Sequence, residues 1–289
     1  MSINRQIKKH TSQSLKGNRI TAVCAVLIIF LLIASTIFIE KFVTDITNNT
    51  PYVSVSLDKS IGILSDIPNI SYNSFYITAM IIMVHIFIIK PLWMGFRKMT
   101  VRIVMGKDGD FGHLFYYFRN AKLYSKSILL DFYIFLRRTA VCVLFITPGI
   151  IAIIFDQIFD YSGVLTRFVI NRRSFSIVTL MGIILFVLGM VIAWIYSTKY
   201  FLSVYFFICI PEMSVWKCVR QSIKYTRGQV SDLFGFKISF FPLMISSVII
   251  LPVFYLIPYY VSCCSAYAMC VRKKKNKGNK EIEKKKKEK

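Results

Sequence analysis

The sequence predicts an all-α protein that crosses a membrane about six times and carries one short basic amphipathic helix outside it. Three observations support this. Of 289 residues, 55% are hydrophobic and only 18% are charged, whereas a soluble domain carries about a quarter charged residues. The apolar residues gather in blocks of roughly 15 to 25, the length that crosses about 30 Å of hydrocarbon as helix. The 37 Lys and Arg, against 14 Asp and Glu, concentrate between alternate blocks. That placement is the positive-inside pattern of a polytopic chain, not the footprint of a nucleic-acid binder.

Taken in order, residues 1–19 form a cytoplasmic basic segment with five cations and no acid. The block 20–39 is the first span; it is too long for a signal-peptide core and shows no small-residue cleavage site. Residues 40–73 are polar, with Asn48, Asn49, Pro51, Pro68 and Asn69 as turn formers. The second span is 75–93, ending at Lys90-Pro91 with Trp93 as an interfacial anchor. Residues 94–127 are basic. Their Asp108-Gly109-Asp110 turn is no calcium loop, because the bidentate acid would have to stand where Arg119 is.

Residues 128–155 contain Asp131, Arg137 and Arg138. An arginine at mid-bilayer costs about 3 kcal/mol on insertion scales. Residues 127–136 therefore read as a helix near the surface, and 137–155 as the third span, kinked at Pro148-Gly149. The alternative pairs Asp131 with Arg138 in a buried polar site. The fourth span is 176–196, its helix running on past Lys199 toward Ile210. The apolar stretch 238–271 holds Pro242, Pro252 and Pro258. It reads as two short spans, 238–251 and 255–271, or as one kinked helix. Spans 20–39 through 255–271 make up an integral membrane domain, 20–271. The lysine-rich tail 272–289 is expected to be disordered and cytoplasmic.

Sorting the cations by segment gives five in the N-terminal tail, eight in 90–127, six in 197–237 and eleven in the C-terminal tail. The two alternate loops hold two and three. Both termini are then cytoplasmic, which needs an even number of spans and favours the hairpin reading of 238–271.

Chemistry is nearly absent from the pattern. The three histidines, His10, His85 and His113, fall in different segments, and no nucleophile elbow, zinc signature or phosphate loop occurs. The seven cysteines have no regular spacing and read as small hydrophobes. No catalytic residue, metal site or cofactor is expected.

The most informative segment is 211–228, PEMSVWKCVRQSIKYTRG. Pro211 and Ser214 suit a helix start and Gly228 a stop. Val215, Val219 and Ile223 recur every four residues beside Trp216. Lys217, Arg220, Lys224 and Arg227 recur on another face. Such a helix belongs in the headgroup layer with its apolar side down. These four cations and Trp216 are the candidate contacts for anionic lipid or a protein partner. The prolines at 148, 242 and 258, with Gly149, mark possible span kinks.

In this order Leu15-Lys16-Gly17-Asn18, Pro148-Gly149-Ile150-Ile151, Tyr200, Tyr205, Pro211, Ser214, Cys218, Ser222, Gly228, Leu233-Phe234 and Ile257-Pro258-Tyr259 resemble a bacterial multi-pass membrane family, the domain of unknown function 975. Cys218 stands where that pattern has alanine, and the helix is more basic than the family's usual one. The resemblance implies an all-helical fold in the bacterial cell membrane and no established reaction, substrate or cofactor. The expected function is non-enzymatic, with a basic cytoplasmic face acting on anionic lipid or a partner. A transporter or export component is the alternative.

Overall fold

The computed structural model describes residues 3–49, 72–159, 167–170, 173–245 and 250–287. Among them the chain is all-α and polytopic. The helices are α1 (Ile3–Leu15), α2 (Arg19–Asn49), α3 (Tyr72–Val84), α4 (Lys90–Val104), α5 (Ala121–Phe159), α6 (Ile177–Ser197), α7 (Phe201–Cys209), α8 (Val215–Thr226), α9 (Val230–Ile238), α10 (Phe241–Ile245) and α11 (Ile250–Lys287). The one strand pair among the described residues is an antiparallel hairpin, β1 (Arg167–Ile170) with β2 (Arg173–Ser176), in the loop before α6. Five helices among the described residues are long and apolar enough to cross a membrane: Asn4–Val43, Tyr76–Val104, Ala121–Phe155, Ile177–Cys209 and Val253–Lys273.

Two compact units divide the chain. The first comprises Lys8–Ile128 and Ile249–Cys263; the second comprises Met1–Ile7, Leu129–Val248 and Cys264–Lys289. In the first unit the core follows from helical spacing. Ala22, Ala25, Val26 and Ile29 line one face of α2, and Leu92, Phe96, Met99 and Ile103 one face of α4. Leu15 and Leu114 close it, and Phe254, Ile257 and Val261 of α11 pack against it.

The helix of the second span does not end at Lys90-Pro91. A π-helical turn, His85–Ile89, joins α3 to α4, and the helix continues to Val104. Proline lacks the N–H that would bond residue i−4. For Pro91 that residue is Phe87, and its carbonyl instead accepts a hydrogen bond from the Tyr124 hydroxyl at 2.8 Å. The π turn and this tyrosine together let the helix pass its proline. Trp93 is partly buried and packs against the core. His85 Nδ1 donates to the Ile81 carbonyl of its own helix, 3.1 Å away.

The separate surface helix expected over 127–136 is likewise absent. α5 is continuous for 39 residues, about 58 Å at 1.5 Å per residue, so one helix serves both as the span and as the stretch before it. Pro148 lies inside it without ending it. Its neighbour Gly149 has a packing role. A Cβ there would lie 2.5 Å from the Phe186 backbone nitrogen, and one on Gly189 would lie 2.2 Å from the Phe145 carbonyl oxygen. α5 and α6 thus cross where glycines let the backbones touch, as small residues do between membrane helices. The rest of α6 exposes Leu180, Met181, Ile184, Leu185, Leu188 and Ile192, the surface a lipid-facing helix presents.

The expected fifth span, 238–251, is interrupted. α9 ends at Ile238, a turn at Ser239 and Phe240 follows, and α10 has only five residues with Pro242 in its first turn, where proline is tolerated. Residues 246–249 lie outside the described ones. From Ile250 a single helix, α11, runs through Pro258 and on to Lys287. The tail expected to be disordered is thus helical to Lys287. Lysine and glutamate are good helix formers.

Candidate functional site

In the second unit, the helix of α6 tightens into a 3-10 turn at Thr198–Tyr200 before α7 begins. α8 meets that turn at the Lys199 carbonyl, which accepts from the hydroxyls of Ser222 and Thr226. A turn closed by Met213 N–H on the Ile210 carbonyl brings the chain to Ser214, whose extended backbone (φ −69°, ψ 147°) starts the helix. α8 begins at Val215, not Pro211, and ends at Thr226. Gly228, at φ +84°, turns the chain out of the helix in the left-handed region glycine favours.

The faces of α8 differ from the expected ones. Val215, Cys218, Val219, Ser222 and Thr226 are buried, packed on α7 and the 3-10 turn. Ser222 Oγ donates to the Lys199 carbonyl at 2.7 Å, and Thr226 Oγ1 donates to the Ser222 carbonyl at 2.8 Å. Small side chains at Cys218 and Ser222 permit the close approach, and the hydroxyl hydrogen bonds to the Lys199 carbonyl add to it. Val215 and Val219 therefore face protein. Ile223 is turned outward, exposed with Trp216 beside the cations.

Lys217, Arg220, Lys224 and Arg227 all lie on the exposed surface. The structure brings Arg220 and Trp216 together with a residue from α5. Arg137 Nη2 and Nε donate to the Tyr133 hydroxyl at 2.8 and 3.1 Å. Its guanidinium lies 5.5 Å from the Trp216 ring centroid, with Arg220 at 5.7 Å from the same ring. Tyr133 meets Trp216 edge to face at 5.3 Å. Tyr196 and Tyr200 lie within electrostatic reach of Arg137. Lys199 Nζ sits 4.0 Å from the Tyr196 ring and Lys237 Nζ 4.9 Å from Phe201. Each exposed cation–aromatic pair contributes about 0.5–1 kcal/mol. Arg137 and Arg138 are both exposed. Sequence reasoning weighed Arg137 only as an insertion cost and did not join it to Trp216, which lies 79 positions along the chain.

These features define a polytopic all-α protein in which cations lie against aromatic rings of neighbouring helices. A family model described as a protein of unknown function, DUF975, matches residues 1–275, and the chain belongs to that family. No curated protein and no solved structure matches it.

Several ordered positions now have physical roles. Cys218 and Ser222 form the docking face of α8. Asn18 Oδ1 accepts the backbone N–H of Gly109 at 3.2 Å in the first unit. Gly149 lets α5 and α6 cross closely.

Proposed function

We propose that the protein is a non-enzymatic resident of the bacterial cell membrane that holds anionic lipid headgroups through a basic cytoplasmic face. The observation that supports this reading is Trp216 with two guanidinium groups near its ring, Arg137 at 5.5 Å and Arg220 at 5.7 Å, on a face whose other cations are exposed. Tryptophan favours the membrane–water interface, and arginine there meets phosphate oxygens with its forked donors. Each basic residue near an anionic surface contributes about 1 kcal/mol. The charge asymmetry favours both termini inside, which requires an even number of crossings, one more than the five long helices among the described residues.

The test is native mass spectrometry of protein released from membranes containing phosphatidylglycerol and phosphatidylethanolamine. Combining Lys217→Gln, Arg220→Gln, Lys224→Gln and Arg227→Gln should strip retained phosphatidylglycerol and leave the thermal midpoint in place, since all four side chains are exposed. Unaltered retention would overturn the reading. Loss of a co-purifying protein instead of a lipid would replace the headgroup with a protein partner.

A further inference from the structure

The first unit holds a second cation cluster that the lipid reading does not use. After α4 the chain turns at Gly106 (φ +76°) and folds back over that helix. Two devices hold the fold-back. Gly95 leaves room for it, since a Cβ there would lie 1.9 Å from the Leu114 carbonyl oxygen. Asn18 pins Gly109. Leu114 and Tyr117 are fully buried beneath it.

The fold-back carries His113 and Arg119 to Lys98 and Arg102, which stand one turn apart on α4. The charges acting on Lys98 are those of Arg102 and Arg119, both positive. Those acting on His113 are Arg102, Lys98 and the carboxylate of Asp110. Arg102 Nε is shut off from solvent and has no hydrogen-bond partner, and the His113 imidazole, also shut off from solvent, lies against the Asp110 carbonyl. Asp110 and Arg119 flank Gly112. A Cβ on that glycine would lie 2.8 Å from Asp110 Oδ2 and 3.1 Å from Arg119 Nη2. Lys98 and Arg102 are half-buried while Arg119 is exposed, so the cluster opens outward past Arg119.

Three like charges in one place repel, and one carboxylate leaves a surplus of two. A shielded guanidinium nitrogen without an acceptor adds a desolvation cost. A tetrahedral oxyanion removes both penalties at once. It offers several acceptor oxygens to forked arginine donors and up to two negative charges.

We propose that Lys98, Arg102 and Arg119 form a phosphate-binding site, separate from the α8 face, that takes a phosphate group either free or as a lipid headgroup. Asp110 is the opposing group in the site and weakens anion binding there.

The full-length protein in nanodiscs of phosphatidylcholine is titrated with inorganic phosphate, and in parallel reconstituted with phosphatidic acid. The readouts are bound lipid by native mass spectrometry and the His113 imidazole resonances in protein with labelled histidine. Phosphate or phosphatidic acid should shift His113, and which of them does so identifies the source. Arg119→Gln should weaken the response about tenfold, the loss of one charge-assisted hydrogen bond, and Asp110→Asn should strengthen it. The four glutamine changes on α8 should leave it unaltered, which separates this site from the proposed function. A His113 signal that neither probe shifts would overturn the site. So would a response that Arg119→Gln, at an exposed position that does not threaten folding, leaves at full strength.

Discussion

The two basic clusters are built in opposite ways. On α8 the cations are consecutive members of one helical face, three and four positions apart, and stay exposed. In the first unit Lys98 and Arg102 come from α4, while His113 and Arg119 arrive by a fold-back held from the side by Gly95 and Asn18. The α8 face depends on one helix staying docked. The other cluster depends on a backbone contact that a single added carbon would break. A site made from local spacing therefore tolerates change in its surroundings better than one made from tertiary approach.

That difference can be broken most forcefully at Gly95. Replacing it with leucine places a side chain where the Leu114 carbonyl now sits. Overpacking of this kind costs about 1–3 kcal/mol or more. The thermal midpoint in detergent should drop, and the His113 and Arg119 end of the cluster should come away from α4. Retention of phosphatidylglycerol by α8 should persist. A variant as stable as the parent would mean the fold-back is not held there.

The matching break on the other side is Ser222→Ala. It removes the nearer of two hydroxyl donors to the Lys199 carbonyl, leaving Thr226 Oγ1 at 3.5 Å. The cost is at most that of a buried acceptor left unsatisfied, about 1–3 kcal/mol. Accessibility labelling at Cys218, now buried, should rise as α8 loosens, and lipid retention should fall with it. Protection of Cys218 unchanged from the parent would show that the valines alone hold the helix.

A smaller effect is expected for Tyr124→Phe. The Phe87 carbonyl freed by Pro91 loses its hydroxyl partner, at about 1 kcal/mol for a net hydrogen bond. Hydrogen exchange should quicken in the π turn at 85–89 and stay slow in α8. Equal acceleration in both would contradict a local role.

The smallest effect is a pH dependence confined to the first cluster. Burial first, and then the Arg102 charge, lower the His113 pKa below its ordinary 6.5; Lys98 acts the same way, and Asp110 through its backbone and its carboxylate opposes them. The unfolded chain therefore binds the proton more readily. Stability from this group is fully present above about pH 6.5 and is lost as pH falls through the lower folded value. The thermal midpoint should decline on acidification from pH 7 to 5, and His113→Gln should flatten part of that decline. An identical slope in parent and variant would remove His113 from the account.

Much of this protein is legible in its amino-acid sequence alone. Apolar block length marks the helical crossings, because a backbone in hydrocarbon must bond to itself along the segment. Charge placement separates the basic segments, and a four-residue period picks out α8 with its exposed cations and its glycine stop. Other features need the fold. Pro91 and Pro148 read as an end and a kink because each removes a hydrogen bond. Whether the helix survives depends on what reaches the freed carbonyl, and for Pro91 that is Tyr124, 33 positions away. The burial of Val215 and Val219 comes from packing of α8 on α7 and the 3-10 turn, where the Lys199 carbonyl accepts from Ser222 and Thr226. The pairing of Arg137 with Trp216, and the gathering of Lys98, Arg102, His113 and Arg119, are contacts between segments distant in sequence. Local periodicity decides which face of a helix is polar. Only tertiary packing decides what that face meets, because the partner's position is set by distant backbone.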